Sequence, residues 1–243
     1  MKGKLTVVGF GPGSKGDMTL RAVEAIEKAD VVTGFTTYIK ILKEFFPDKE
    51  YKSNGMTKEV DRCRMAVEDA SKGLNVAMVS SGDSGIYGMA SPVLELAGEY
   101  GVEVEIIPGV TAAASGAALL GSPITADFSV ISLSDLLTPM EKIEKRLEGA
   151  AMSDQCIVIY NPSSRKRSDH LKRACEIVLR YQSPETVCGI AKNIGREGES
   201  CTVLTLAELA DTPTDMFTTV FIGNSSTKVI DGKMVTPRGY RNE

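Results

Sequence analysis

Short aliphatic and β-branched runs alternate with amphipathic stretches along the first half of the chain. In order they are LTVVGF (5–10), TLRAVEAIEKA (19–29), VVTGF (31–35), KEVDRCRMAVEDASKG (58–73), NVAMVSS (75–81), SPVLELAGEYG (91–101), VEVEIIPGV (102–110) and TAAASGAALLG (111–121). Compact apolar runs bounded by turn residues read as buried strands, and apolar positions three and four apart read as one helix face. Their alternation predicts a mostly parallel sheet with helices on its faces. Within 58–73, Val60, Cys63 and Val67 share one helix face and leave Asp61, Arg62 and Glu68 for solvent.

The second half carries longer strand patterns: FSVISLS (128–134), QCIVIYNP (155–162), ETVCGIAKNI (185–194), ESCTVLTL (199–206) and MFTTVFIGN (216–224). Only two clear helices separate them, one holding Met140, Ile143 and Leu147, the other Leu171, Cys175 and Val178. This strand-rich half predicts a mixed sheet. The Gly-Ser-Pro punctuation in LLGSPIT (119–125) places a boundary there, giving domains over 1–119 and 120–243. The closing MVTPRGYRNE reads as a tail or short edge structure.

Composition narrows the function. A chain of 243 residues with 42% hydrophobic content has ample material for packed cores. Its formal charge of -4, from 32 acidic and 28 basic residues, supplies no global positive field for nucleic acid. No apolar run approaches the roughly 20 residues that span a bilayer, and glycines interrupt the opening where a signal peptide would be apolar, so a cytoplasmic protein is expected. Cys63, Cys156, Cys175, Cys188 and Cys201 are odd in number and never form CxxC, which argues against disulfides and a zinc site and for reduced core thiols. The single histidine, His170, lies in SDHLKRAC, which reads as a solvated helix start. No group has the spacing of metal ligands.

Three glycine clusters follow predicted strands: Gly9-Phe10-Gly11-Pro12-Gly13-Ser14, Ser80-Ser81-Gly82-Asp83-Ser84-Gly85-Ile86-Tyr87-Gly88, and Pro108-Gly109-Val110-Thr111-Ala112. Open α/β sheets bind ligands at the carboxyl ends of their strands, and glycine lets backbone approach a ligand closely. Each cluster also has a plain reading: a strand-to-helix turn, a helix cap by Asp83, and a tight helix contact capped by Thr111. A dinucleotide-dependent oxidoreductase would want glycine at position 14 and an acidic residue ending VVTGF, and the sequence has neither.

Taken together, in this order and separation, the three clusters resemble the tetrapyrrole methylase family, with its GxGPG loop, glycine turn and PGVT/S-A segment. Ile157 to Pro162, Gly189 to Asn193 and Thr218 to Gly223 extend the resemblance along essentially the whole chain. ISLSDLLTP (131–139), YNPSSR (160–165) and TPRGY (236–240) are similar to the ring-contracting subgroup that methylates C17 of precorrin-3B or cobalt-factor III in cobalamin biosynthesis. The sequence departs from the pattern at Ser84, where proline is usual, at Ala126, where histidine is frequent, and at Met140, where tryptophan is frequent. A different macrocycle carbon is the nearer alternative.

The resemblance implies two α/β domains with S-adenosylmethionine in the cleft between them, a tetrapyrrole substrate and a homodimer. It implies that Pro12, Ser81, Gly82, Asp83, Ile86, Thr111, Ala112, Asn161, Ile194 and Thr219 line the cofactor pocket. The substrate's acetate and propionate groups call for cationic donors, and Arg165, Lys166 and Arg167, with Arg196 and Arg238, are the candidates, although a basic run at a helix start is often a solvated face. Ring contraction needs proton transfer, for which Asp127, Ser132, Ser134 and Asp135 are candidates; hydrogen bonding within their loop is the other reading. Any cobalt would arrive inside the substrate rather than on the protein.

Overall fold

The computed structural model describes residues 3–164 and 168–240. The chain forms two compact units, 1–111 and 112–243. The division falls eight residues ahead of the boundary expected after residue 119, because helix 112–120 belongs with the second unit: Gly116 lies against the Phe221 ring and Ile194, where a Cβ would stand only 2.9 Å and 3.1 Å away.

In the first unit, β1 (Lys4–Gly9), β2 (Val31–Phe35), β3 (Glu50–Asn54), β4 (Val76–Ser80) and β5 (Glu103–Ile107) form a sheet of order β3-β2-β4-β1-β5. Every pairing is parallel. α1 (Leu20–Lys28) and α2 (Thr36–Phe45) pack on one face with Val8, Val32, Ala77 and Val79. α3 (Glu59–Ser71) and α4 (Ala90–Tyr100) cover the other with Leu5, Val7, Val76 and Met78. Alternate residues of each strand thus feed opposite cores, and both faces are sealed, as a parallel sheet requires.

The patterning missed α2, which starts without a side-chain cap at Phe35, and β3, a polar edge strand. It also misplaced one stripe. Cys63 and Val67 of α3 are buried, but Val60 is 56% exposed and Arg62 only 4%. The buried face runs through Cys63, Ala66, Val67 and Ala70, and Arg62 turns inward because its guanidinium finds partners: Nε donates to Asn54 Oδ1 (2.9 Å), Nη2 to the Gly55 carbonyl (3.0 Å), and the plane lies over the Phe35 ring.

In the second unit, β7 (Phe128–Ser132), β8 (Cys156–Tyr160), β9 (Val187–Lys192), β10 (Ser200–Thr205) and β11 (Thr218–Ile222) form a sheet of order β10-β9-β11-β8-β7. β7 and β8 run parallel and the other pairs antiparallel, so the sheet is mixed, as expected. One face is covered by α6 (Met140–Met152), α7 (His170–Val178) and α8 (Leu206–Ala210), the other by α5 (Ala112–Leu120). α8 went unread although Thr205 and Glu208 form a complete capping box, because the preceding ESCTVLT reads as strand. β6 (Gly121–Ser122), β12 (Lys228–Ile230) and β13 (Lys233–Val235) make a small separate sheet.

Candidate functional site

The topology of the first unit brings the three glycine clusters to one edge. They follow β1, β4 and β5, and these strands are neighbours in the order β4-β1-β5. The helix after β1 packs on one face and the helix after β4 on the other. Two adjacent strands whose connections leave to opposite faces open a crevice at their carboxyl ends.

Backbone builds this edge. Gly11 N–H donates to the Gly82 carbonyl (3.1 Å) and Gly82 N–H to that of Gly11 (2.7 Å), a reciprocal bridge between the first two loops. Both glycines have positive φ, +83° and +68°. Asp83 holds the second and third loops: Oδ1 accepts from Gly85 N–H (2.8 Å) and Oδ2 from Gly109 N–H (3.0 Å). It does not cap α4, which begins at Ala90 after an uncapped Met89. Ser84, in the usual proline position, is buried with its hydroxyl toward the Ile107 carbonyl of β5 (3.5 Å). Pro12, Ser81, Gly82 and Asp83 are therefore assembled together, and Ile86 and Tyr87 stand exposed beyond them.

Two observations bear on what this edge can hold. Gly9, Gly82 and Gly109 pack backbone against backbone with no room for a side chain between them, since a Cβ on Gly109 would lie 2.2 Å from the Gly82 carbonyl oxygen. At the foot of the second loop, the buried Ser80 hydroxyl has no protein partner. The dinucleotide alternative fares worse. Ser14 caps a separate 3-10 turn over Lys15–Asp17, and α1 starts only at Leu20, so no helix N-terminus opens directly from the first glycine loop.

In the second unit, the carboxyl ends of β7, β8 and β9 and the start of β11 share one edge. Ser132 Oγ accepts from Asn161 Nδ2 (2.9 Å) and Ser134 N–H (3.2 Å). Asn161 adopts a left-handed φ of 52°, which directs the chain out of β8. Behind it, the Tyr160 hydroxyl accepts from Ala113 N–H at the start of α5 (2.7 Å), beside Ala112. Thr219 and Ile194 are buried, Ile194 against α5. Asp215 accepts from Lys192 (2.8 Å), Thr218 (2.8 Å) and Phe217 N–H (2.9 Å). Burial alone raises its pKa, but these donors outweigh it and hold the carboxyl below its ordinary value. Arg196, in the turn after β9, lies over the Phe217 ring at the same edge.

Two candidates are not brought to this group. Asp127 precedes β7, and its carbonyl accepts from Cys156 N–H at the start of β8, so it stands at the opposite end of the strand from Ser132. Arg238 follows Thr236, which is anchored beside Cys156 and to the Pro123 carbonyl, again at the far edge. Arg165, Lys166 and Arg167 lie outside the described residues.

The histidine corrects the reading of a solvated helix start. His170 opens α7 but is only 12% exposed, with Nδ1 3.0 Å from the Leu133 carbonyl and Nε2 4.0 Å from Asp135 Oδ2. Sequence spacing gave no hint, because Leu133 and His170 meet only through the fold. Burial pushes the Cys63 thiol up to about 11 and Cys175 to about 12, whereas Cys201 is exposed rather than a core thiol. No cluster of metal-ligating side chains occurs among the described residues, and no helix among them is long and apolar enough to cross a membrane.

Comparison with known proteins agrees with this geometry. Residues 4–210 match the model of the family described as Tetrapyrrole (Corrin/Porphyrin) Methylases. A Salmonella typhimurium protein named "Probable cobalt-factor III C(17)-methyltransferase" is 48% identical, covering 97% of this chain and 99% of that one. A "Precorrin-3B C(17)-methyltransferase" from Sinorhizobium sp is 39% identical over 99% of this chain and 98% of its own. Two further relatives match this chain end to end with only about half their lengths, 46% and 54%. The crystal structure of the methyltransferase CobJ superposes with a TM-score of 0.88 at 34% identity, covering 97% of this chain and all of that one. The chain belongs to the tetrapyrrole (corrin/porphyrin) methylases.

Proposed function

We propose that this protein transfers a methyl group from S-adenosylmethionine to C17 of cobalt-factor III or precorrin-3B, with contraction of the macrocycle, in cobalamin biosynthesis. The observation that carries this reading is end-to-end similarity, at 48% and 39% identity, to proteins bearing those two names. The higher figure favours the cobalt-containing substrate. The homodimer rests on the family resemblance, and the cytoplasmic location on the sequence, which offers no spanning run or signal-like opening.

Bound S-adenosylmethionine supplies a methyl group already activated on a sulfonium, so an in-line displacement needs positioning more than a protein nucleophile. That demand suits the residues present. The bridged loops of Gly11 and Gly82 present fixed backbone groups to the nucleoside, Asp83 keeps the loops in register, and the Ser80 hydroxyl is available to it. Ala112, Asn161, Ile194 and Thr219 remain assigned to the cofactor by resemblance. On the second unit, Arg196 is assigned to a substrate carboxylate and Ser132 and Asp135 to proton transfer, a reading supported by their lying at one end of the sheet. Asp127 and Arg238 do not join them.

Calorimetry separates the reading from an oxidoreductase: S-adenosylhomocysteine binds and NAD(H) does not, and the reverse result overturns it. Incubation with S-adenosylmethionine and cobalt-factor III, or metal-free precorrin-3B, then decides the substrate by product mass and tetrapyrrole spectrum. A gain of one methyl without a spectral change contradicts ring contraction.

A further inference from the structure

We infer that Tyr87 is a substrate-contact residue whose ring face stacks on the tetrapyrrole macrocycle and sets the affinity for it. This deepens the proposed C17 methylation and rests on that reading. The backbone gives the first observation. Among the described residues, six other than glycine adopt a left-handed φ: Thr57, Tyr87, Asp154, Asn161, Asn193 and Asp231. Asn and Asp tolerate that region, and Thr57 closes its own turn by donating to the Met56 carbonyl (2.6 Å). Tyr87, at 53°, is the aromatic exception. A bulky side chain is strained there, and strain of this kind clusters at ligand clamps and active sites.

The loop around Tyr87 is rich in glycine, yet the strained position is not one of them. Gly82 uses its freedom directly, at a φ of 68°, and Gly88 is required by close packing, since a Cβ on it would stand 2.4 Å from the Ser84 carbonyl oxygen. Position 87, where glycine would relieve the backbone, carries a tyrosine. The loop is closed on both sides of it: Gly85 N–H donates to Asp83 Oδ1 (2.8 Å), and Ala90 N–H, opening α4, donates to the Ser84 carbonyl (3.0 Å). Exposure gives the second observation. Tyr87 is 56% exposed and belongs to neither core of the first unit. A fixed backbone thus holds an aromatic ring partly in solvent, in the loop that follows the carboxyl end of β4. The occupant that suits it is a flat ligand with broad apolar faces, and the macrocycle is one, with its carboxylates confined to the rim. Aromatic faces stack on such a surface, and the water released from both adds to the attraction. The assignment concerns the ring faces and not the phenol hydroxyl. Adenine of the cofactor is the smaller flat ring, and the test separates the two.

Two replacements divide the side chain. Tyr87→Gly adopts the same backbone without strain and removes the ring; Tyr87→Phe keeps the ring and removes the hydroxyl. Tyr87→Gly is expected to melt close to the parent or above it and to bind S-adenosylhomocysteine as the parent does in calorimetry. Its KM for cobalt-factor III should rise at least about tenfold with kcat nearly unchanged. Tyr87→Phe should keep the parental KM. Parental KM in Tyr87→Gly would overturn the proposal. So would a melting temperature more than about 5 °C below the parent's, because the ring would then belong to the packing. A comparable loss of S-adenosylhomocysteine affinity with parental KM would assign the ring to adenine, and a raised KM in Tyr87→Phe would assign the role to the hydroxyl; either result overturns it. Titration of cobalt-factor III into parent and variant saturated with S-adenosylhomocysteine, followed by absorbance, reads the same difference without turnover. If the parent binds this tetrapyrrole but transfers no methyl, the C17 reading fails and the titration still decides on Tyr87. A parent that does not bind it overturns both.

Discussion

The carboxyl edge of the first sheet is built from backbone, and the corresponding edge of the second from side chains. In the first, Gly11 and Gly82 exchange backbone hydrogen bonds, and Asp83 ties the second loop to Gly109 N–H of the third. In the second, Ser132, Asn161, Tyr160, His170 and Asp215 make the contacts. A backbone edge suits a ligand recognised by shape and polar outline, and tolerates little change in the glycines that allow it. A side-chain edge suits chemistry on a substrate, and its members can be exchanged with less harm to the fold. The first should fail by unfolding and the second by losing activity.

The strongest way to break this contrast is Gly109→Ala. The new Cβ would meet the Gly82 and Gly9 carbonyl oxygens at 2.2 and 2.4 Å, all backbone, so a loss of more than about 3 kcal/mol, or no soluble protein, is expected in denaturant melts. Gly98→Ala in α4 is the control. Nothing lies within 4 Å of its Cβ, and relief of helix-interior glycine should stabilise by about 0.5–1 kcal/mol. If both changes behave alike, the backbone account of the edge is wrong.

Asp83→Ala comes next. It leaves Gly85 and Gly109 N–H groups without their acceptor, which should cost about 1–3 kcal/mol and weaken S-adenosylhomocysteine binding measured by calorimetry. In the second unit, Tyr160→Phe removes the acceptor for Ala113 N–H. A loss of about 1 kcal/mol in urea midpoint stability is expected, with a soluble, folded protein.

The smallest effect is an acid limb. Because donors hold the folded Asp215 pKa below its ordinary value, its contribution is complete above the unfolded carboxylate range, about pH 4, and is lost as pH falls through the lower folded value. Asp215→Asn should therefore lower the melting temperature slightly at neutral pH and leave the acid end nearly unchanged, flattening that part of the profile. An unaltered acid limb would show that the Lys192 and Thr218 contacts contribute nothing.

The sequence pattern carried most strands and most helices of both units, because two-residue and 3.6-residue periodicities survive wherever one face is buried. It also carried the three glycine loops. It did not carry their convergence, which depends on β1 lying between β4 and β5, a matter of crossovers rather than local pattern. Side chains were harder still. Arg62 looked like solvent and is buried on Asn54 and Gly55, His170 looked solvated and faces Leu133 and Asp135, and Asp127, grouped with Ser132, and Arg238, grouped with Arg196, stand at the opposite end of the strands. In each case the deciding partner is distant in sequence or on the wrong end of a strand. Motif proximity in sequence is a poor guide where one strand separates two ends of a sheet.

The most direct measurement is the fate of a ¹³C-labelled methyl group. Protein supplied with methyl-labelled S-adenosylmethionine and cobalt-factor III should give a product one methyl heavier, with the label on C17 of a contracted ring by NMR. Label on another macrocycle carbon, or no transfer from protein that binds S-adenosylhomocysteine, would contradict the account.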